Sequence, residues 1–496
     1  MKRTKHSLSN YKLLTCDMGK IVPCGLVEVL PGDSIQQHTS ALIRVSPLVA
    51  PVMHPVIVRF HHWFVPNRLT WEGWEDFITG GPDGIGGSAG AYPVLTSGGG
   101  GFGVGTIPDY LGVPPTVAGV GICAMPIRAY NLIFNEFYRD QDLVAERTED
   151  DFTIAPVAWE KDYFTSARPW PQKGPEVSMP LGVSAPVSGV ITGAGAPNWL
   201  GSHGATPTGI ASSSGQPGVN WSAGAAQGTN STMNWNDPAL SFTNGVADLS
   251  TASAVGVNDV RRAFAIQRYQ EARAQYGSRY TEYLRYLGVR SSDARLQRPE
   301  YLGGGKQTIA FSEVLRTGNE SAATTAPIGE MAGHGIAAMR SRRYRRFFEE
   351  HGFIVSVMSV RPRTVYEQGV NRLWSRRAKE DYWQKELELI GQQEVLNKEV
   401  FVDGTAVDSE VFGYQDRYAE YRHTPSDVCG EFRSTLDYWH MARLFAARPT
   451  LNGSFVSCDA TKRIHAEQTQ HSLWCMINNS VHARRMVGKR TIGRII

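Results

Sequence analysis

At 496 residues, with 42% hydrophobic and 20% charged residues and a net charge of +3, the chain has the composition of a globular protein rather than a disordered or fibrous one. Its most apolar run, Ser46 to Val58, is broken by Pro47, Pro51, His54 and Pro55, which speaks against a membrane-spanning helix. The basic start from Met1 to Lys12 leads into no apolar stretch of signal-peptide type, so a protein made and used without export is expected.

The charge is unevenly placed. Lys2, Arg3, Lys5 and Lys12 precede the first acid, Asp17. Strand signals follow at Gly25 to Leu30, ahead of the Pro31-Gly32-Asp33 turn, at Ala41 to Val45 and at Pro55 to Val65. In the last of these, Val56, Val58, Phe60, His62 and Phe64 share one face, and Ile57, Arg59, His61, Trp63 and Val65 the other, so the strand is expected to be covered on both sides. Trp71, Trp74, Phe77 and Ile78 form a short apolar helical stripe after a possible Thr70 cap. Three large aromatics in two turns make too large a patch for a free surface, and Trp71, Trp74 and Phe77 are expected to pack within the subunit or against a neighbour.

Residues 80–121 are rich in Gly. Behind Pro126 a helix carrying Ile127, Tyr130, Phe134 and Phe137, of three turns or less, is predicted. A second Gly-rich stretch, Gly182 to Val257, contains no Lys, Arg or Glu and only two acids, Asp237 and Asp248. Neither stretch can bury enough apolar area to offset its own ordering entropy, so each reads as a surface insertion that lies across something else or as a flexible linker. Trp199, Trp221 and Trp235, each preceded by Asn, favour ordered insertion loops, because free linkers rarely carry large aromatics.

Asn258 can cap a helix carrying Val260, Ala263 and Phe264, and Tyr280, Tyr283, Leu284 and Leu287 outline another. Strands are expected at Gln307 to Phe311 and Gly352 to Arg361. Ser434 and Asp437 have the spacing of a helix-capping box ahead of Tyr438, Met441 and Phe445. Strand and helix never alternate regularly, so an antiparallel β core decorated by helices in its long connections fits better than a parallel sheet.

No chemistry-bearing constellation stands out. Gly303-Gly304-Gly305-Lys306 lacks the Gly and the Ser or Thr of a phosphate loop, where Glu300 and Gln307 stand instead. His54, His61 and His62 have no acid or Cys beside them and read as packed or hydrogen-bonded side chains, and Cys16, Cys24, Cys123, Cys429, Cys458 and Cys475 read as free thiols of a reducing cytoplasm. Catalytic residues, cofactors and metals are not expected. Arginine does recur beside aromatics, in Arg342 to Phe348, Trp374 to Arg377 and Tyr414 to Arg422. That mixture suits single-stranded nucleic acid and, equally, wet subunit interfaces. Arg340, Arg342, Arg343, Arg345 and Arg346 form one basic cluster. After Glu467 no acid follows, while Arg484, Arg485, Lys489, Arg490 and Arg494 do, so both ends and the centre point to a polyanionic partner.

Five blocks then carry a resemblance: Phe60 to Gly81, beginning Phe-His-His-Trp-Phe-Val-Pro-Asn-Arg; Phe137 to Asp142; Asp162 to Pro175, with its Pro-Trp-Pro-Gln-Lys-Gly-Pro; Asp293 to Gly304; and Phe412 to Arg422. In this order they resemble the major capsid proteins of microviruses, particularly the gokushovirus type. The resemblance covers nearly the whole chain outside the Gly-rich stretches. It implies a mainly β protein, an eight-stranded antiparallel viral jelly roll with long loop insertions and several short helices, spanning residues 1–496 as one capsid domain.

It further implies self-assembly of about sixty copies into a T=1 icosahedral virion around a single-stranded DNA genome, in the cytoplasm of a bacterial host. Contact with a host-cell receptor is expected at the 182–257 insertion, as a projecting spike or a draped lid. About sixty copies at +3 supply roughly +180 against a genome of thousands of phosphates, so a separate small basic DNA-condensing protein is expected as a partner. Lys2, Arg3, Lys5, Arg484, Arg485, Lys489 and Arg490 are expected to face DNA; the competing reading makes the C-terminal arm an assembly clamp under a neighbouring subunit. A carbohydrate-binding or hydrolysing β-sandwich is the alternative function, and it would require paired acids in a defined site.

Overall fold

The computed structural model describes residues 3–80, 87–175, 177, 257–276, 297–315 and 331–488, with four short strands at Val187–Thr192, Trp199–Leu200, Asn234–Trp235 and Ser241–Ala247. The chain divides into two compact units, Met1–Gly174 with Gln270–Ile496, and Pro175–Tyr269. In the second unit the four short strands make two antiparallel pairs, one of which sets Trp235 directly opposite Trp199. Trp221 and the predicted Tyr280 to Leu287 helix lie outside the described residues.

Among the described residues, the first unit is built around a sandwich of two antiparallel sheets, beside two short two-stranded ribbons. The strands of the sandwich are β1 (Thr4–Ser7), β2 (Asn10–Cys16), β3 (Ile21–Val29), β4 (Ser34–Val45), β5 (Val56–Pro66), β6 (Glu300–Thr308), β7 (Ala310–Leu315), β8 (Met331–Arg340), β9 (Tyr344–Phe347), β10 (Gly352–Pro362) and β11 (Leu473–Arg485). One sheet runs β6-β5-β10-β3. In the other, β11 pairs with β1 and β2 along one edge and β4 along the other, and β4 pairs onward with β8 and β9. Counting β2, β3, β4, β5, β6, β8, β10 and β11 as one to eight, the sheets read one-eight-three-six and two-seven-four-five. That wrapped order is the jelly roll, and it follows from hairpins folding as pairs across two facing sheets.

Alternation along each strand builds the core. Ile43, Ile477, Cys475 and Leu473 from one sheet meet Val58, Phe60, Met358 and Val360 from the other, all nearly inaccessible to solvent. Each such side chain contributes roughly 1.5–3 kcal/mol of burial. A polar chain crosses the same interior: Tyr344 donates to Gln37 Oε1 at 2.8 Å, Gln37 Nε2 donates to Ser356 Oγ at 3.1 Å, and His62 bonds Ser356 Oγ at 2.8 Å and Ser341 Oγ at 3.2 Å. Every member has a partner, so the chain fixes sheet register without leaving a buried orphan among these groups.

The four-stranded sheet is covered on its outer face as well. Trp63 and Val65 of β5 and Val355 and Val357 of β10 pack against α3 (Met125–Phe137) through Ile127, Tyr130, Ile133 and Phe134. β5 is therefore covered on both sides, as its composition predicts. α3 runs 13 residues, longer than the expected three turns. It belongs to the long connection between β5 and β6, which also holds α1 (Trp74–Thr79) and α2 (Ile107–Leu111). The first Gly-rich stretch is not wholly a surface feature: Ile107 is fully buried and Tyr110 nearly so, each in a core cluster. The β5–β6 and β10–β11 connections meet in a further cluster, with Tyr163 and Phe164 of the first against Tyr366, Val395, Phe412 and Phe455 of the second.

Several local expectations are corrected. Thr70 does not cap α1; its hydroxyl turns back to Asn67 O at 2.8 Å, and Gly73 stands at the helix start. Asn258 lies inside α4 (Val257–Tyr276) rather than ahead of it, and Phe264 is 62% exposed. The Gln307 to Phe311 strand is two strands, broken where Ile309 turns into the core. No α-helix follows Ser434: the Asp437 and His440 carbonyls accept from Arg463 Nε at 2.9 and 3.3 Å, which spends them outside a helical ladder. Gly303 to Gly305 lie in β6. Gly303 has φ +148° at a bulge opposite His62, and a Cβ on Gly304 would sit 2.1 Å from Phe60 O, so close strand approach, not phosphate binding, demands these glycines.

Candidate nucleic-acid interface

The outer face of the seven-stranded sheet is built by the same alternation that fills the core. Along β4, Ile35, Gln37, Thr39, Ala41 and Ile43 point inward, which turns Gln36, His38, Ser40, Leu42 and Arg44 outward. Along β11, Trp474, Met476, Asn478, Ser480, His482 and Arg484 alternate outward in the same way. Residues directly opposite in an antiparallel pair share a face, so register adds Lys5 and Ser7 from β1, Tyr11, Leu13 and Thr15 from β2, Ser312 from β7, His334, Ile336 and Arg340 from β8, and Arg345 and Phe347 from β9.

Across all seven strands, no outward position holds Asp or Glu. Lys5, Arg44, Arg340, Arg345 and Arg484 supply five fixed positive charges, and Tyr11, Phe347 and Trp474 supply rings. Lys5 stands directly opposite Arg484, a like-charge pairing that costs stability unless an anion lies over it. His38 reports the resulting field. Burial first, then the charges of Arg340, Arg343 and His482, hold its imidazole below the ordinary value, and Arg340 Nη2 stands 3.0 Å from His38 Nε2.

The basic residues predicted from sequence divide. Arg3, one residue before β1, donates to Gly32 O at 3.0 Å and Ser34 Oγ at 3.2 Å and lies over the Phe347 ring at 5.3 Å; Lys5 and Arg484 are exposed on the face. Arg485 points the other way. Its guanidinium meets the fully buried Asp33 carboxylate at 2.7 Å and donates to Glu28 O at 2.9 Å, so it neutralises a buried charge and leaves the face. Lys2, Lys489 and Arg490 lie outside the described residues.

The central basic cluster is sorted by alternation too. Arg340 and Arg345 join the face, Tyr344 turns inward, and Arg346 pairs with Glu300 at 2.8 Å. The other arginine-aromatic runs are partly committed within the subunit: Arg376 stacks on Tyr421 at 4.1 Å and pairs with Glu420 at 3.6 Å, while Trp374 stays 79% exposed. Sequence reasoning missed Arg44, His38, Tyr11 and Trp474. The available signal was the acid-free alternation of Ser34 to Val45, of which only the second half reads as a strand.

The Trp71, Trp74 and Phe77 stripe is not buried within the subunit. Trp71 stacks near Phe77 at 5.3 Å, Phe77 near Tyr92 at 5.5 Å and Trp74 near His351 at 5.4 Å, yet Phe77 remains 46% exposed. The three histidines are bonded as expected: His54 to Arg363 O at 2.8 Å, His61 to the Tyr138 hydroxyl at 2.5 Å, and His62 as described. Burial pushes each down to about 4, aided at His61 by Arg59 and Arg361. Among the described residues no group of His, Cys, Asp and Glu has metal-binding geometry, and no helix is long and apolar enough to cross a membrane.

Comparison with known proteins meets this architecture along its whole length. The profile of the capsid protein (F protein) family matches residues 1–493. Capsid protein VP1 of Bdellovibrio phage phiMH2K is 38% identical over 459 residues, covering 88% of this chain and 84% of that protein. VP1 of Chlamydia phage 1 is 33% identical, covering 92% and 89%, and VP1 of Spiroplasma virus 4 is 31% identical, covering 92% and 88%. A jelly roll with structural rather than catalytic relatives sets the carbohydrate reading aside, and the chain belongs to the phage F-protein capsid family.

Proposed function

We propose that this capsid protein assembles as about sixty copies into a T=1 shell whose inner wall is the outer face of the seven-stranded sheet, laid against a single-stranded DNA genome. The observation that carries the reading is the absence of any acid from the outward positions of its seven strands, combined with five Lys and Arg residues and three rings. Guanidinium groups meet phosphates while rings stack on bases of any identity. The face is too weakly charged to neutralise a genome, so it positions DNA, and a small basic protein together with counter-ions does the condensing.

The half-exposed Trp71, Trp74 and Phe77 patch packs against a neighbouring subunit in this reading, since a capsid protein supplies its own partner. The 182–257 insertion, with Trp199, Trp221 and Trp235, serves contact with the surface of the bacterial host, because loops on a rigid scaffold carry recognition. Assembly takes place in the host cytoplasm.

The test is a charge series. Replacing Arg44, Arg340, Arg345 and Arg484 by Gln is expected to leave shells of normal diameter in electron micrographs but empty of DNA. Binding of the purified protein to single-stranded DNA is expected to lose about 0.7 in salt slope for each charge removed. Failure to form shells would make the face a subunit clamp, and shells with normal DNA content would remove the face from the DNA contact altogether.

A further inference from the structure

One end of the basic face is hollow. Thr15 and Leu13 of β2 lie opposite Trp474 and Met476 of β11, while Arg44 and Leu42 of β4 flank the same two residues from the other side. The segment Val104 to Tyr110 rises beside them, and together they line an open hollow of about 600 Å³. Its walls are mostly apolar, yet they are far from fully buried: Leu13 is 70% exposed, Trp474 41% and Met476 42%. An apolar hollow at one end of a polar, cationic sheet face is unusual, because nothing in the core needs these three residues outside.

The charges in the hollow are arranged around its rim. Asp109 faces Lys12, whose ammonium also donates to Tyr110 O, and its carboxylate accepts from Gly105 N at 2.7 Å, so acid and base offset one another there. Arg44 has no ion-pair partner among the described residues. The site thus offers an indole, a thioether and aliphatic walls inside, with one unspent guanidinium at the mouth beside the indole. A flat heteroaromatic ring joined to an anion has this shape and charge.

We infer that this hollow is a nucleotide-binding site in which a base turned out of the single strand stacks on Trp474 while its phosphate meets Arg44. The inference rests on the DNA-facing reading of the sheet and deepens it, by giving the shell a point where a base, and not only the backbone, is held. The volume accommodates one or two bases of any identity, so the site anchors the strand without reading sequence.

The test compares two oligomers of equal length and charge, one of thymidylate and one of abasic nucleotides, binding to the purified full-length protein. Base stacking is expected to make the thymidylate oligomer bind about 5- to 100-fold more tightly. Trp474→Ala is expected to erase that preference while leaving the abasic oligomer bound as before, and Trp474→Phe to retain most of it. Trp474 is outside the core, so its truncation does not threaten folding. Equal binding of the two oligomers by the unaltered protein, or a full preference surviving in Trp474→Ala, would overturn the site while leaving the basic face intact. Binding of neither oligomer would bring down the DNA-facing reading itself.

Discussion

The two sheets of the sandwich share one core and part company on their outer faces. The four-stranded sheet turns Trp63, Val65, Val355 and Val357 outward and buries them under α3, whereas the seven-stranded sheet turns His38, Arg44, Trp474 and Arg484 outward and leaves them exposed or half-exposed. A cover that belongs to the chain can be apolar, because it never leaves. A cover that arrives from outside must be met by a face soluble without it, and charge of one sign does this while choosing the partner. The burial pattern of a strand therefore tells which of its covers is permanent.

The largest expected effect separates the two faces by stability. Tyr130, 1% exposed, donates from its hydroxyl to Ile21 O at 2.6 Å beneath the covered sheet, while Tyr11, 59% exposed, lies on the open one. Tyr130→Ala should cost about 3–5 kcal/mol in urea unfolding, against less than about 0.5 kcal/mol for Tyr11→Ala. Comparable losses from both would mean that the open face is covered within the subunit after all.

Neighbouring arginines give the next contrast. Arg485→Gln leaves Asp33 charged and unpaired in the interior and should cost about 3 kcal/mol, while Arg484→Gln should leave the melting temperature unchanged and weaken DNA binding. A melting loss in Arg484→Gln equal to that in Arg485→Gln would erase the division between structural and DNA-facing charge.

Protons give an effect that is absent at neutral pH and grows only in acid. His54, His61 and His62 are neutral in the fold with values near 4, whereas the unfolded chain takes up protons from about pH 6.5 downward. Stability should hold above about pH 6.5 and fall between there and pH 4, by up to about 1.4 kcal/mol per pH unit for each histidine. His62→Gln should flatten that slope. A slope unchanged in this variant would place the acid sensitivity elsewhere.

Much of this contrast was readable in advance. The two-sided apolar character of Val56 to Val65 announces a strand covered on both faces, and the strand signal at Gly352 to Arg361 matches β10, Gly352–Pro362, almost to the residue. The stripe behind Pro126 announces a helix, but not which surface it covers. The open face was harder, because its charges come from five different strands and only register brings Lys5, Arg44 and Arg484 together. Local spacing cannot report a pairing between residues more than 400 positions apart. The capping box at Ser434 failed for the opposite reason: its local signal was good, and Arg463, 29 residues later, took the carbonyls a helix would have used.

The strand Leu473–Arg485 lies between strands drawn from the first 45 residues. During synthesis those partners leave the ribosome first and then wait for the element that joins them, for about half a minute at typical elongation rates. Until it arrives the seven-stranded sheet has a gap at its centre, with Ile43 and Leu14 unpaired and no continuous basic face. A chain cut short by premature termination or proteolysis near its end therefore lacks both the sheet and the surface offered to the genome. Competence to engage DNA becomes a property of finished chains alone, and the order of the strands acts as a checkpoint on translation.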